Sequence, residues 1–418
     1  MLNSSIRYRN GQLYCDSVPV ADIIAQVGTP VYIYSLPRAL ENLRRIQAAF
    51  PGAHIHYSAK ANANLTLLAA LVRAGAGIDA VSTGEIHRAL VAGTPPDQIV
   101  YAGVSKTGQD LYYAISHGVG WFNIENVEEC HLLNSVACVD DCTVRVALRL
   151  NPDVQAQTHR HISTGHGGAK FGLPAETIHD LLERQDLFPN LSFEGIHVHI
   201  GSQLHDTAAT VAAIKMALKL IKPYPMMRTI DIGGGFPVPY SADEQVPPIE
   251  DFAAAIMPLL EGYNVILEPG RSIIADAGML VTRVQYVKDQ GSAKFAICDA
   301  SMTELIRPAL YEAHHDIVPV QQMSGQGEVI QVVGPVCETA DVLGRDVPLP
   351  PVQPGDHLAI LTAGAYGMVM ASNYNARPRP PEVMIAEDGN TWFIARRRET
   401  WDDLIAAELD AQPQFSQR

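Results

Sequence analysis

The sequence predicts an α/β protein made of a closed (β/α)8 barrel (TIM barrel) and a C-terminal, mostly β domain. Between residues 54 and 268, eight short β-rich runs alternate with helical stretches, a pattern typical of strand-helix units around a parallel sheet. After about Met279 the long helices disappear, and Pro and Gly clusters separate the strand-like runs. With 418 residues, 47% of them hydrophobic, the chain is long enough for two or three domains.

The barrel prediction depends on the number of candidate strands. They are residues 54–60, 77–81, 98–102, 119–124, 143–150, 193–200, 228–232 and 264–268. Segments with helical periodicity lie between them, such as Leu65 to Arg73, Thr83 to Val91 after Ser82, and Thr207 to Ile221 after Asp206. We therefore expect a barrel over residues 29–275.

The parts of the chain outside the barrel are expected to form one β-rich region. Residues 1–28 contain strand-like pieces that have no place in the barrel count, so this N-terminal arm is expected to pack on the β domain. The β domain is predicted over residues 276–418, with candidate strands at 279–288, 293–298, 329–333 and 356–361.

Charge and composition exclude several classes of partner. The formal net charge of -15 would repel nucleic acid and anionic membranes. Residues 1–20 contain no apolar core behind a basic start, and no stretch has the roughly 18 apolar residues of a membrane span, so we expect a cytoplasmic protein. Cys130, Cys138 and Cys142 near His131 do not have a standard zinc spacing, so no metal is predicted.

Candidate functional residues fall at the ends of the predicted strands. In a (β/α)8 barrel these ends share one mouth, where catalytic groups gather. The residues placed there are Lys60, Asp79, Arg149, His197, His199, Gly201, Ser202, Gly233, Gly234, Gly235, Glu268, Gly270 and Arg271.

These residue types suit a phosphorylated pyridine aldehyde. Three successive glycines, 233–235, expose backbone N–H groups to a phosphate, although a tight turn explains the same residues equally well. Lys60 alone would be interpreted as a surface charge, but a buried position would favour the neutral amine that a Schiff base requires. His197 and His199 share a strand face and either bind a ring or serve as core histidines. Glu268 needs a partner when buried, and a pyridinium N–H is one.

Six motifs resemble those of the fold-type III (alanine racemase-like) pyridoxal phosphate decarboxylases. They are YSAKAN, HVHIGSQ, DIGGGF, EPGR, GPVCE and GAYG, and the resemblance spans nearly the whole chain. Within this family the sequence is most similar to the members that act on meso-diaminopimelate, a similarity to which residues 162–166 (ISTGH) and 305–311 (LIRPALY) contribute. The resemblance implies pyridoxal 5'-phosphate as cofactor and a head-to-tail homodimer with shared active sites.

The resemblance also implies a role for each matched residue. Lys60 carries the cofactor as a Schiff base, His199 stacks on the ring and Glu268 binds the pyridine nitrogen. The phosphate is held by Ser202, Gly235, Gly270 and Tyr366, and rim position adds Asp79, Arg149, Gly234 and Arg271 to the cofactor set. Residues expected to bind substrate are Arg271, Arg307, Tyr311, Glu338 and Tyr366. Cys337 is the expected proton donor, so the predicted catalytic residues are Lys60, His199 and Cys337.

The activity implied by the resemblance is decarboxylation of meso-2,6-diaminopimelate to L-lysine, the last step of lysine biosynthesis. A decarboxylase of ornithine, arginine or lysine on the same fold is the nearest alternative, but it typically carries Cys-Asp where this chain has Cys337-Glu338. A racemase would need a second acid/base where this chain offers Cys337. A non-catalytic pyridoxal phosphate carrier would consist of the barrel alone.

Overall fold

The computed structural model describes residues 1–154 and 170–411. The strands in chain order are β1 (Ile6–Arg9), β2 (Gln12–Cys15), β3 (Val18–Pro19), β4 (Val31–Ser35), β5 (His54–Ser58), β6 (Gly77–Ala80), β7 (Ile99–Tyr101), β8 (Trp121–Ile124), β9 (Val144–Leu150), β10 (Leu191–Val198), β11 (Thr229–Asp231), β12 (Asn264–Leu267), β13 (Gly278–Asp289), β14 (Lys294–Cys298), β15 (Ile317–Pro319), β16 (Glu328–Val333), β17 (Val342–Leu349), β18 (His357–Ile360), β19 (Glu382–Ile385) and β20 (Trp392–Arg396). The α-helices are α1 (Val20–Val27), α2 (Leu36–Ala49), α3 (Leu65–Arg73), α4 (Thr83–Val91), α5 (Gly108–Ser116), α6 (Val127–Val139), α7 (Ala175–Glu183), α8 (Ala208–Ile221), α9 (Ile249–Ile256), α10 (Arg271–Ile274), α11 (Arg307–Tyr311) and α12 (Trp401–Ala411).

A closed barrel of eight strands forms one compact unit, here called the barrel unit, of Leu40–Val238 and Gln245–Ile273. Its strands close in the order β10-β11-β12-β5-β6-β7-β8-β9, and every neighbouring pair is parallel. All eight predicted barrel strands are present, so the predicted (β/α)8 barrel is confirmed. The first of them ends at Ser58, because Ala59–Ala61 already form a 3-10 turn.

Polar side chains fix where the barrel helices begin. The Asn64 side chain accepts the N–H of Thr66 at the start of α3, and Ser82 Oγ accepts the N–H of Glu85 at the start of α4. Each satisfies a backbone donor that the first helical turn leaves without a partner, which is worth about 1 kcal/mol. Helices α3 and α4 therefore have the bounds predicted from the sequence, and α8 begins one residue later than predicted.

The second compact unit, here called the sheet unit, combines Met1–Ala39, Pro239–Glu244 and the chain from Ile274 onward. Its larger sheet runs β17-β16-β14-β13-β4-β19-β20, with β18 pairing to β13 and β15 pairing to β18, and β1-β2-β3 form a small sheet. The N-terminal arm contributes Ile6, Leu13 and Ile23 to a buried core that also contains Met279 and Val383. Among the described residues, no helix has the length and apolar composition needed to cross a bilayer.

Candidate active site

Lys60 lies at the mouth of the barrel, in the 3-10 turn that directly follows β5. Its Nζ donates a hydrogen bond to Oδ2 of Asp79 at 3.3 Å, and Ser58 Oγ donates to the same oxygen at 2.6 Å. The parallel register of β5 and β6 pairs Ser58 with Asp79, which explains why both donors reach one carboxylate. The Lys60 amine is therefore held at a defined place beside a buried acceptor.

The exposure of Lys60 differs from the sequence expectation of a buried amine. Its side chain is 39% exposed, whereas the side chain of Asp79 is fully buried. The reason is local, because Asp79 belongs to a strand of the barrel wall and Lys60 to the turn beyond the strand end. Burial and the neighbouring Glu268 raise the pKa of Asp79, while Lys60 acts in the opposite direction. The Lys60 amine therefore remains accessible to an aldehyde, while its hydrogen bond to the buried Asp79 holds it in place.

Two stacked histidines follow one face of β10. The rings of His197 and His199 lie 6.5 Å apart at an interplanar angle of 18°, as their shared strand face predicts. His199 Nδ1 accepts the backbone N–H of Gly234 at 3.3 Å, which places the proton of a neutral ring on Nε2. Burial, with the nearby Arg149 and Lys60 cations, holds the pKa of His199 well below its usual value. His199 is thus a neutral ring at the mouth, suited to stack on a flat heterocycle.

The glycine run after β11 has a conformation that other residues rarely adopt. Gly233 and Gly235 have φ values of +65° and +95°. A Cβ at Gly234 would approach the carbonyl oxygen of Glu268 to 2.5 Å, and one at Gly235 would approach that of Gly201 to 2.7 Å. Only glycine satisfies both the backbone and the space, so this turn brings the backbone close to the mouth, with the N–H of Gly233 bonded to Asp231 and that of Gly234 to His199.

A cationic side chain borders the glycine run. Arg271 is buried, with 7% of its surface exposed. Its Nε and Nη2 donate hydrogen bonds to Ser202 Oγ at 3.3 and 3.2 Å. Gly270 before it is tightly packed, since a Cβ there would lie 3.0 Å from that of Ala61. A hydroxyl and a guanidinium beside a glycine backbone are groups suited to a phosphate or carboxylate.

Glu268 is a buried acid directly after the end of β12. It is 5% exposed and accepts a hydrogen bond from Asn123 Nδ2 at 3.1 Å through Oε1. Its Oε2 lies 3.4 Å from Nε2 of His197, which is itself 1% exposed. The expectation that a buried Glu268 needs partners therefore holds, but the structure supplies two of them from the barrel wall.

Arg149 has an acidic partner that the sequence analysis missed. Its Nη1 donates to Glu125 Oε1 at 2.5 Å, and Glu125 Oε2 accepts the N–H of Gly172 at 2.8 Å. The guanidinium also lies 4.8 Å from the ring centre of Phe171. Arg149 and Glu125 therefore contact the described residues Phe171 and Gly172 beside the end of β9. The motif at residues 162–166 lies outside the described residues.

Asn123 and Asp231 also reach the site without having been predicted. Both are fully buried, Asn123 in β8 and Asp231 at the end of β11, where the register pairs it with His197. A signal was present in each case, because an amide in WFNI and a carboxylate in TIDI interrupt apolar strands. Such residues need hydrogen-bonding partners inside the barrel.

The remaining predicted residues belong to the sheet unit. They are Arg307, Tyr311, Cys337, Glu338 and Tyr366. Arg307 is buried, with its guanidinium 4.4 Å from the ring centre of Tyr240 and Nη1 2.8 Å from His315 Nε2. Their assignment to the same site as the barrel residues is a proposal.

The segment with Cys337 and Glu338 lies on the surface of the sheet unit. Cys337 is an exposed free thiol, and the Tyr374 hydroxyl donates a hydrogen bond to Glu338 Oε1. Tyr366 has a left-handed backbone conformation with φ of +55° and is partly buried. A thiol and a carboxylate on an exposed segment are available to a ligand or to another chain.

Metal-ligand geometry is confined, in residues 1–154 and 170–411, to one buried group. His197, Asp231 and Glu268 place ligand atoms within 4.8 Å of one another. The scattered thiols of Cys130, Cys138 and Cys142 are not part of this group. Within the triad, Asp231 and Glu268 both accept from Asn123, and His197 lies 3.4 Å from Glu268.

The chain resembles known proteins over nearly its full length. Residues 37–275 match the family described as pyridoxal-dependent decarboxylase, pyridoxal binding domain. A diaminopimelate decarboxylase of Aquifex aeolicus is 41% identical, covering 98% of each chain, and one of Vibrio cholerae is 42% identical, covering 96% of this chain and 97% of its own. A crystal structure of diaminopimelate decarboxylase from M. jannaschii in co-complex with L-lysine superposes with a TM-score of 0.92 at 35% identity, covering 98% of both chains. The chain therefore belongs to the pyridoxal-dependent decarboxylases, in the group of the diaminopimelate decarboxylases.

Proposed function

We propose that this enzyme decarboxylates meso-2,6-diaminopimelate to L-lysine and carbon dioxide, the last step of lysine biosynthesis. Membership of the family gives the chain pyridoxal 5'-phosphate as its cofactor. The observation that carries the proposal is the position of the Lys60 amine beside buried Asp79, at the mouth that also holds His199 and Glu268. The names of relatives about 40% identical over nearly the full length support the choice of substrate.

The residues at the mouth fit the cofactor in three respects. The glycine run, Ser202 and Arg271 offer donors for a phosphate. Asp79 Oδ1 is buried and has no hydrogen-bond partner among the described residues, so a donor is needed there. Glu268 is an enclosed acid of the kind that a ring N–H would bind. We accordingly assign Asp79, Arg149, His199, Ser202, Gly234, Gly235, Glu268, Gly270, Arg271 and Tyr366 to cofactor binding.

When bound, the cofactor supplies an aldehyde for an amino group and a protonated ring that accepts the electron pair left by carbon dioxide. The chain's own residues position these groups. Lys60 Nζ would be the attachment point of the cofactor, and Asp79 keeps that nitrogen in place through its hydrogen bond. The neutral His199 ring would stack on the cofactor ring, and Glu268 would bind the ring N–H, because a buried carboxylate binds a cationic donor strongly.

Substrate binding is assigned to residues that match its charges. Arg271, Arg307, Tyr311 and Tyr366 are proposed to bind the carboxylates, since guanidinium forks suit carboxylate geometry. Glu338 accepts from the distal ammonium, and Cys337 Sγ delivers a proton to the substrate α-carbon. Two carboxylate-binding arginines favour diaminopimelate over ornithine, which has one carboxylate.

The homodimer and the cytoplasmic location predicted from the sequence are kept as parts of this proposal. Helix α12 has no buried side chain among its described residues, and Trp401 at its start is 80% exposed. An exposed tryptophan on a helix that has no fully buried side chain suits an interface between two copies.

Carbon dioxide release from a panel of amino acids tests the function. We expect turnover of meso-diaminopimelate far above that of L-ornithine, L-arginine and L-lysine. Lys60→Ala should lower kcat by at least about 10³-fold, because the attachment point is lost, while the exposed Lys215→Ala in α8 serves as the matched control. Preferential turnover of ornithine would contradict the proposed substrate. An absorption band of bound cofactor without turnover of any amino acid would favour the non-catalytic carrier.

A further inference from the structure

Asn123 lies between two buried carboxyl groups. Its Nδ2 donates to Asp231 Oδ2 at 3.2 Å and to Glu268 Oε1 at 3.1 Å. Asn123 and Asp231 are fully buried, and Glu268 is 5% exposed. One amide nitrogen therefore brings two acidic groups together in an environment with little water.

Trp121 determines which way the amide of Asn123 points. Its indole Nε1 donates to Asn123 Oδ1 at 3.0 Å. An indole N–H only donates, so the amide oxygen has to face it and the amide nitrogen has to face the carboxyl groups. Trp121 and Asn123 are two residues apart on β8, so their side chains lie on the same face of the strand. The hydrogen bond between them makes the pair a rigid element of the barrel wall.

The two acids differ in their surroundings. Asp231 Oδ1 accepts only a neutral donor, the N–H of Gly233 at 2.9 Å, whereas Glu268 Oε2 lies 3.4 Å from His197. Burial and the charge of Glu268 raise the pKa of Asp231 well above its usual range. Burial alone would also raise the pKa of Glu268, but His197, Lys60 and the Asp231 proton hold it below its usual value.

Other ionisable groups around the pair do not change this division. His56 on β5 is partly buried against Gly77, and desolvation lowers its pKa to about 4, so it is neutral near pH 7. Asp79 on β6 is bonded to Ser58 and Lys60. Two carboxylates so close together cannot both ionise easily in a low dielectric, so one proton is retained between them.

We propose that the Trp121–Asn123 pair is a positioning device that divides two buried acids into a protonated Asp231 and an ionised Glu268. Glu268 alone then presents a negative charge to a ring nitrogen, and Asp231 supports it as a hydrogen-bond donor. The relevance to catalysis rests on the proposed function. The protonation of Asp231 is a property of the protein itself and is tested without turnover.

Infrared spectroscopy of the full chain, freed of cofactor, tests the proton on Asp231. Ordinary carboxyl groups are ionised at pH 7, so a buried protonated one gives a separate C=O stretching band. Asp231→Asn should remove a band that the matched control Asp79→Asn retains. Identical spectra of the wild type and Asp231→Asn would overturn the proposal.

The same spectra test the Trp121–Asn123 pair. Asn123→Leu removes the shared donor, and Trp121→Phe removes the indole N–H while keeping an aromatic ring, so both should shift or broaden the Asp231 band. Circular dichroism shows which variants are folded, and Trp121→Phe keeps the test valid if Asn123→Leu does not fold. An unchanged band in folded Trp121→Phe would remove the pair from the proposal.

Binding of pyridoxine 5'-phosphate, which lacks the aldehyde, measures ring recognition separately. Asp231→Asn replaces a neutral acid by a neutral amide and should change the dissociation constant by less than about 3-fold, whereas Glu268→Gln should raise it by about 30-fold. Equal weakening by both variants would contradict the division of charge. If diaminopimelate is not turned over but these results are obtained, only the proposed function fails.

Discussion

At the scale of single residues, one imidazole determines how Arg307 is oriented. Nε2 of His315 lies 2.8 Å from Arg307 Nη1, and its Nδ1 lies 2.9 Å from the carbonyl oxygen of Leu361. The carbonyl can only accept, so Nδ1 carries the proton and Nε2 accepts from the guanidinium. Burial, with the charge of Arg307, holds the pKa of His315 well below its usual value. The ring is therefore neutral at pH 7 and holds one edge of the guanidinium by accepting its hydrogen bond.

Two amides at position 315 separate the roles of the two ring nitrogens. In His315→Gln the amide oxygen reaches the place of Nε2 and still accepts from Arg307, whereas in His315→Asn the shorter amide reaches only the place of Nδ1. We expect His315→Asn to raise the KM for diaminopimelate about 10-fold with a smaller effect on kcat, and His315→Gln to stay close to the wild type. Steady-state kinetics would refute this if both amides raised KM equally.

The acid pair predicts how stability depends on pH. The native pKa of Asp231 is raised above the unfolded value of about 3.9, so between these values the native state binds one proton more and stability falls as the pH rises. Asp231→Asn lacks this contribution, which amounts to at most about 1.4 kcal/mol per pH unit. Calorimetry of the cofactor-free chain from pH 4 upward, where the unfolded carboxyl begins to ionise, should show a smaller loss of Tm in the variant. Parallel pH profiles would count against a protonated Asp231.

At the scale of elements, the turn after β11 combines two constraints that can be separated. Gly235 and Gly262 both have positive φ, +95° and +87°, but a Cβ at Gly235 would meet the Gly201 carbonyl at 2.7 Å while one at Gly262 would meet nothing within 4 Å. Gly235→Ala and Gly262→Ala therefore share the backbone strain and differ in crowding at the mouth. We expect Gly235→Ala to weaken pyridoxal phosphate binding by more than about 10-fold and Gly262→Ala to leave it unchanged. Cofactor titration of both variants decides; equal affinities would show that the crowding is tolerated.

Much of the fold was predictable because periodicity is local. The eight barrel strands and the start of α4 at Ser82 follow from alternation and capping signals in the sequence. Strand β17 was missed because Pro348 interrupts it, yet proline is accepted there since β17 is the edge of its sheet. Strand β4 was missed because its pairing with β13 and β19 depends on distant residues.

The site was predictable where residues follow strand ends, and less so inside the barrel. Lys60, His199 and Glu268 lie one or two residues beyond their strands, as a shared mouth requires. The exposure of Lys60 was misjudged because a 3-10 turn after β5 is not visible in the strand pattern. Asn123 and Asp231 were missed because their importance comes from side chains that meet across the barrel.

At the scale of the whole molecule, shared active sites predict complementation. If each site takes Lys60 from one chain and Cys337 from its partner, neither Lys60→Ala nor Cys337→Ala alone is active, but a hybrid dimer has one intact site. Mixing the two variants under conditions of subunit exchange should restore up to about a quarter of wild-type activity. Size-exclusion chromatography should show twice the chain mass. Dimers that exchange subunits without regaining activity would show that each chain completes its own site.

The position of β4 has a consequence for synthesis on the ribosome. All five residues of Val31–Ser35 are buried, between β13 on one side and β19 on the other. The second neighbour is translated about 350 residues later, roughly 20–70 s at ordinary elongation rates. During that time the barrel segments emerge, but one edge of the apolar strand β4 has no neighbouring strand. A chaperone or the N-terminal arm of the chain therefore has to shield this edge from aggregation. The sheet unit reaches its final order only when nearly the whole chain has been made.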